Sequence, residues 1–90
     1  MDLKKGTEIY YTGDMANSDG LGKIANRYNN KWGNFVDVEL DDGRKINCLY
    51  TNSFSDEYTG HKGTRFVTKK AYLKWKKEMS KRWYKKYLKK

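Results

Sequence analysis

Hydrophobic positions along this chain change period once. Up to about residue 67 they alternate in short runs. From about residue 69 they recur every three or four residues. Alternation marks a half-buried strand, and a period near 3.6 marks an amphipathic helix. The pattern predicts a strand region over residues 6–67 and one helix over 69–88.

Five strands are predicted. The first is Thr7–Thr12, with Ile9 and Tyr11 on one face. A loop rich in Gly, Asn, Asp and Ser follows over Gly13–Gly22. The second is Lys23–Tyr28, with Ile24 and Tyr28 inward and Lys23 and Arg27 outward. The third, Phe35–Leu40, alternates most clearly: Val36, Val38 and Leu40 in, Asp37 and Glu39 out. Asp41-Asp42-Gly43-Arg44 then reads as a tight hairpin turn, because Gly accepts the positive φ such turns need. The fourth is Lys45–Tyr50, with Ile46, Cys48 and Tyr50 inward. Thr51–Gly63 is a long polar connection that Phe54 and Tyr58 are placed to pin down. Arg65–Val67 is a short fifth strand.

Thr68 is set to cap the helix by accepting a backbone N–H. No Glu or Gln stands three residues on, so the full capping box is missing. Tyr72, Trp75, Met79, Trp83 and Tyr87 form one apolar stripe, expected to pack on the sheet in its first two turns. Twenty helical residues span about 30 Å, more than one face of a small barrel, so the far end is expected to project. Lys70, Lys74, Lys77, Lys81 and Lys85 recur on roughly the opposite side.

Composition bounds the rest. Ninety residues make one domain, 1–90. Only 37% of residues are hydrophobic, but 16% are aromatic, and each ring can bury about 150–250 Å². That is enough for a modest core. A single cysteine excludes an internal disulfide and any all-cysteine zinc site. The opening residues lack the apolar stretch of a signal peptide, and no run is long enough to span a bilayer. A cytoplasmic location, in a bacterial host cell, is expected.

Charge changes the picture most. Residues 62–90 hold 13 of the 20 Lys and Arg and one acid, Glu78. Residues 1–61 hold 7 against 10 Asp and Glu. The net +9 is thus a mildly acidic segment followed by a strongly basic one. Such a field attracts polyanions. Lysine is common on solvated helix faces, but this row has almost no Glu to pair with it at i, i+4, Glu78 being the one acid. Phosphate contact is the expected use of Lys70, Lys74, Lys77, Lys81, Arg82 and Lys85. Lys23, Arg27, Lys62 and Arg65 are placed to extend that surface.

No arrangement for catalysis stands out. Gly20-Leu21-Gly22 leads into a strand, whereas a nucleotide fingerprint opens a helix. Asp37, Glu39, Asp41 and Asp42 read as the solvent face of a strand and turn, available to pair with the lysine helix or to repel nucleic acid. His61 stands alone in its loop, without partners for zinc or nucleophilic catalysis. Neither a cofactor, a metal nor a small-molecule substrate is expected.

The run Gly6-Thr7-Glu8-Ile9-Tyr10-Tyr11-Thr12-Gly13, then Asp19-Gly20-Leu21-Gly22-Lys23-Ile24, then the Phe35–Arg44 hairpin, resembles an SH3-like small β-barrel of the KOW or Tudor type. The resemblance covers about two-thirds of the chain. The size and lysine-rich style also resemble small phage or mobile-element proteins. The fold class it implies is mainly β (α+β): a five-stranded SH3-like barrel followed by one basic amphipathic helix. The function it implies is binding. KOW barrels contact nucleic acid or its machinery, and Tudor barrels cage methylated side chains by cation–π attraction. The rings facing such a ligand would be Tyr10, Trp32 and Phe35.

The expected function is non-catalytic binding of nucleic acid, DNA or RNA, with weak sequence specificity. Lysine is a point charge, whereas arginine supplies the fork that reads guanine. The alternative is a protein-interaction module, a phage-type inhibitor or adaptor docking its helix on an acidic protein. Attachment to a membrane surface through the basic, aromatic helix is a weaker expectation.

Overall fold

The computed structural model describes residues 3–59 and 64–88, with residues 83–88 described by backbone alone. The elements are β1 (Glu8–Tyr11), β2 (Gly20–Asn30), β3 (Gly33–Leu40), β4 (Lys45–Tyr50), a 3-10 turn (Thr51–Ser53), β5 (Phe54–Ser55), β6 (Phe66–Thr68) and α1 (Lys69–Leu88). The six strands form one mixed sheet in the order β4-β3-β2-β1-β6-β5. All pairs are antiparallel except β5 with β6.

The fold is therefore mainly β with one C-terminal helix. Two points differ from the sequence expectation. Among the described residues there are six strands rather than five, and the sheet is open, with β4 and β5 at its two edges. The extra strand is Phe54–Ser55. Phe54 stacks on Phe66 with ring centroids 5.2 Å apart, which draws the connection alongside β6.

The main core lies on one face: Leu3, Ile9, Tyr11, Ile24, Val36, Val38, Leu40, Ile46 and Phe66. The alternation of β1 and β3 predicts most of this set. Two bulges break the alternation of their neighbours. One residue is inserted in β2 between Ile24 and Asn26, because Ile24 pairs with Val38 and Asn26 with Asp37. A second is inserted in β4, where Ile46 pairs with Val38 but Leu49 with Val36. A bulge shifts every later side chain to the other face.

Three orientations are corrected as a result. Tyr28 does not share a face with Ile24; it stands opposite Phe35. Lys23 and Arg27 fall on opposite faces, since their partners Glu39 and Val36 differ in parity along unbulged β3. Cys48 and Tyr50 are exposed, and Leu49 packs against the core instead. Cys48 sits at φ 61°, a left-handed conformation uncommon outside Gly. The N–H that the bulge removes from the ladder is not lost: Cys48 N–H donates to Asp37 Oδ1 at 3.0 Å.

The outer loops are tied by side chains. Arg44 donates to Asp42 at 2.7 Å, to the Ser18 carbonyl at 2.8 Å and to the Asp19 carbonyl at 3.2 Å. It thereby joins the β3–β4 hairpin to the β1–β2 loop. The backbone N–H and guanidinium of Arg44 hold the Asp42 carboxyl below the ordinary carboxylate range. Within the β1–β2 loop, Asp14 Oδ1 accepts the N–H groups of Ala16 and Asn17, and the Tyr11 hydroxyl donates to Asp14 Oδ2.

Candidate nucleic-acid interface

Helix α1 begins where the sequence places it. Thr68 is the N-cap, its Oγ1 accepting the Ala71 N–H at 3.1 Å. Thr68 is itself buried, so the cap also anchors the helix to the end of β6. Replacing Thr68 with Ala is expected to cost about 1 kcal/mol, read as a lowered urea midpoint with unchanged slope.

The helix docks through its first two turns. Tyr72 stacks on Tyr10 with centroids 3.7 Å apart and planes 15° from parallel. Trp75 meets Tyr58 at 4.7 Å. Tyr10, Val67 and Ala71 form a second buried cluster under these rings, with Leu21 against it. Each such ring pair adds about 0.5–1.5 kcal/mol beyond the area it buries. Past Trp75 the cover ends: Met79 is 44% exposed, and Lys77, Lys81 and Arg82 are exposed. The molecule is elongated, 56 × 25 × 24 Å, in keeping with a helix longer than the sheet face beneath it. The remaining stripe residues Trp83 and Tyr87 lie outside the described side chains.

Lys70, Lys74, Lys77 and Lys81 are all exposed, and at 100° per residue they occupy a sector about 60° wide. Arg82 is exposed beside a small cavity of about 180 Å³, lined also by Tyr58, Trp75, Glu78 and Met79. Among the described residues there are two ion pairs, Arg44–Asp42 and Lys69–Glu8, and neither uses these five cations. Lys69 reaches Glu8 at 3.7 Å from the first turn of α1. Among the described residues the acids Asp37, Glu39, Asp41 and Asp42 make no ion pair with the helix; Asp42 is engaged within its own hairpin.

The other expected contacts scatter. Lys23 and Arg65 are exposed, and Arg65 lines a cleft of about 470 Å³ with Lys45 and Asn17. Arg27 is exposed on the face opposite to Lys23. Lys62 and His61, and the Lys85 side chain, lie outside the described residues.

The three aromatics expected to face a ligand do not converge. Tyr10 is 7% exposed and lies beneath Tyr72, because the helix covers that face of β1. Phe35 is also 7% exposed, packed between Tyr28 and Tyr50. Only Trp32 is open, at 67%. The bulges brought Tyr28 and Tyr50 to Phe35. The only signal for that in the sequence was their aromatic character.

The buried hydroxyls carry a pH signature. Burial and the hydrogen bond to Asp14 push Tyr11 up to about 12. Burial and the bond to Asp19 push Tyr10 up further, and burial raises Tyr58. A group whose folded pKa is raised stabilises the fold below its unfolded value and loses that contribution as pH rises through the folded one. Stability should therefore fall from about pH 10 upward. Absorbance of tyrosinate near 295 nm, followed against circular dichroism, should show a late tyrosine step that coincides with unfolding. If every tyrosine titrates near pH 10 in the folded protein, this reading fails. On the acid side, the bond from Tyr11 holds Asp14 below the ordinary carboxylate value, so its contribution is lost only as pH falls below about 4.

No family model matches the chain, and neither a curated protein nor a solved structure matches it significantly.

Proposed function

We propose that this protein binds nucleic acid without catalysing a reaction, using the lysine face of α1 to neutralise phosphates. The observation that carries this is the row Lys70, Lys74, Lys77 and Lys81, with Arg82 beside it, exposed and outside every ion pair among the described residues. Placing like charges at i, i+4 costs helix stability. A polyanion recovers that cost by binding, with release of its condensed counterions. Readout of base sequence is weak, since the row is lysine and not arginine.

The scaffold is read here as an SH3-like small barrel left open. Support comes from the long β2–β3 hairpin, the 3-10 turn after β4, and the return of β6 to pair with β1. A reducing cytoplasm suits its exposed cysteine, Cys48.

The test is a titration of duplex DNA, single strands and structured RNA at several salt concentrations. Log affinity should fall linearly with log salt. A flat dependence, or no binding at low salt, removes the proposal.

A protein partner is the second reading. It is favoured by Leu73 and Met79, both exposed on the helix, which offer apolar contact that phosphate does not use. Partners retained from a nuclease-treated lysate would support it, and partners lost on nuclease treatment would support the first reading.

A further inference from the structure

The outer face of the sheet carries an aromatic group that the phosphate contacts leave unused. Tyr28, Phe35 and Tyr50 stand side by side across β2, β3 and β4. Their centroids are 5.7 Å apart for Tyr28–Phe35 and 4.6 Å for Phe35–Tyr50. Phe35 is the buried support. Tyr28 is held at its far end, where its hydroxyl lies 3.1 Å from Cys48 Sγ and 3.3 Å from Asp37 Oδ1. Tyr50 is 51% exposed and rests against Gly33, the first residue of β3. Trp32, 67% exposed, comes immediately before it, with Lys31 Nζ 4.5 Å from its ring centre.

Register places this group on the same face as the helix. Tyr10 pairs with Leu21, two residues from Lys23; Lys23 pairs with Glu39, two pairs of residues from Phe35 along β3. One face thus runs from helix-covered Tyr10, past Lys23, to Phe35 and Tyr50.

We propose that Trp32 and Tyr50 form a stacking platform for unpaired bases, so that the preferred polyanion is single-stranded nucleic acid. This rests on the nucleic-acid reading above. Three features select that occupant. The rings are open, every base has a face to stack on them, and base–aromatic stacking does not depend on sequence. A cation, Lys31, stands at the platform, and the chain as a whole carries +9. Bases within a duplex are already stacked on each other and cannot reach such a surface. A strand tracking the lysines of α1 gains phosphate contacts from the helix and stacking from the sheet.

The experiment uses the full chain and fluorescein-labelled oligonucleotides: a 12-nucleotide dT strand, a 12-nucleotide U strand and a 12-base-pair DNA duplex, all at low salt. Single strands should bind more tightly than the duplex. Trp32→Ala should weaken single-strand binding roughly five- to a hundredfold, leaving duplex affinity and the salt slope unchanged. Trp32→Phe should recover most of the loss. The two single strands separate DNA from RNA as the source of the bases. Equal binding of strand and duplex, with no loss in Trp32→Ala, overturns the platform while the nucleic-acid reading stands. Binding of none of the three overturns both.

Discussion

Changing Lys74, Lys77 and Lys81 together to Glu is expected to abolish nucleic-acid binding while the protein stays folded. The three side chains are exposed, make no ion pair among the described residues, and lie on one sector of α1. If each contacts a phosphate, losing them lowers the salt slope on duplex DNA by about 2.7, at about 0.9 per contact. The introduced carboxylates add repulsion. Affinity at low salt should drop roughly a hundredfold or more. Folding should survive, because the helix docks through the ring pairs Tyr72–Tyr10 and Trp75–Tyr58, and none of the three substituted side chains belongs to either pair. The carboxylate at position 74 would stand four residues from both Lys70 and Glu78, relieving one like-charge contact and creating another. Circular dichroism and thermal midpoint check the fold, and anisotropy titration checks binding. Retained affinity in a folded triple variant would move the interface off this helix.

The largest single effect on stability is expected from Gly22→Ala. Gly22 pairs with Ile9 on one side and Leu40 on the other, at the centre of the sheet. A β-carbon there would stand 2.3 Å from the Glu39 carbonyl oxygen and 2.7 Å from Leu40 Cα. Both are backbone atoms, so no rotamer change relieves the clash, and β2 must separate from β3. Overpacking typically costs about 1–3 kcal/mol, and rigid neighbours put this case at the upper end. A domain of this size holds only about 5–13 kcal/mol in total. A fall in thermal midpoint of about 10–20 °C follows. Gly43→Ala is the control. Its φ is 93° but the space around it is open, so only the left-handed conformation is penalised, by about 1 kcal/mol. If the two variants melt together, close approach at Gly22 is not what the glycine serves.

That result also bears on the Gly20-Leu21-Gly22 run. In sequence it resembles a fragment of a phosphate loop. In the structure Gly22 is a strand residue whose missing side chain lets two backbones meet. Glycine spacing reports a need for space or for unusual φ, and both needs arise in sheets as well as in loops.

The candidate site was legible in unequal parts. Lys70, Lys74, Lys77 and Lys81 were readable because helical periodicity needs only local spacing, and because the Thr68 cap fixes where that spacing starts. Tyr72 and Trp75 as packing residues followed from the same period. The sheet aromatics were not readable. One inserted residue in β2 and one in β4 move Tyr28 and Tyr50 from the expected core to the outer face. Nothing in the local sequence announces these bulges. The second is held by a partner eleven residues away, the Asp37 carboxylate on Cys48 N–H. Tyr10 was placed on the correct outward phase, but only docking of α1 decided that this phase is covered.

Sequence by itself determined the strand region, the start of the helix, the core from β1 and β3, and the division of the chain into an acidic and a basic part. These depend on period, turn chemistry and composition, which act over a few residues. Tertiary structure decided that the sheet stays open with a sixth strand, that two strands change phase midway, and that the helix docks over Tyr10 on the outward phase of β1. Each of these depends on contacts between residues far apart in the chain: Phe54 on Phe66, Cys48 on Asp37, Tyr72 on Tyr10. Their free energy exists only once the chain has brought them together.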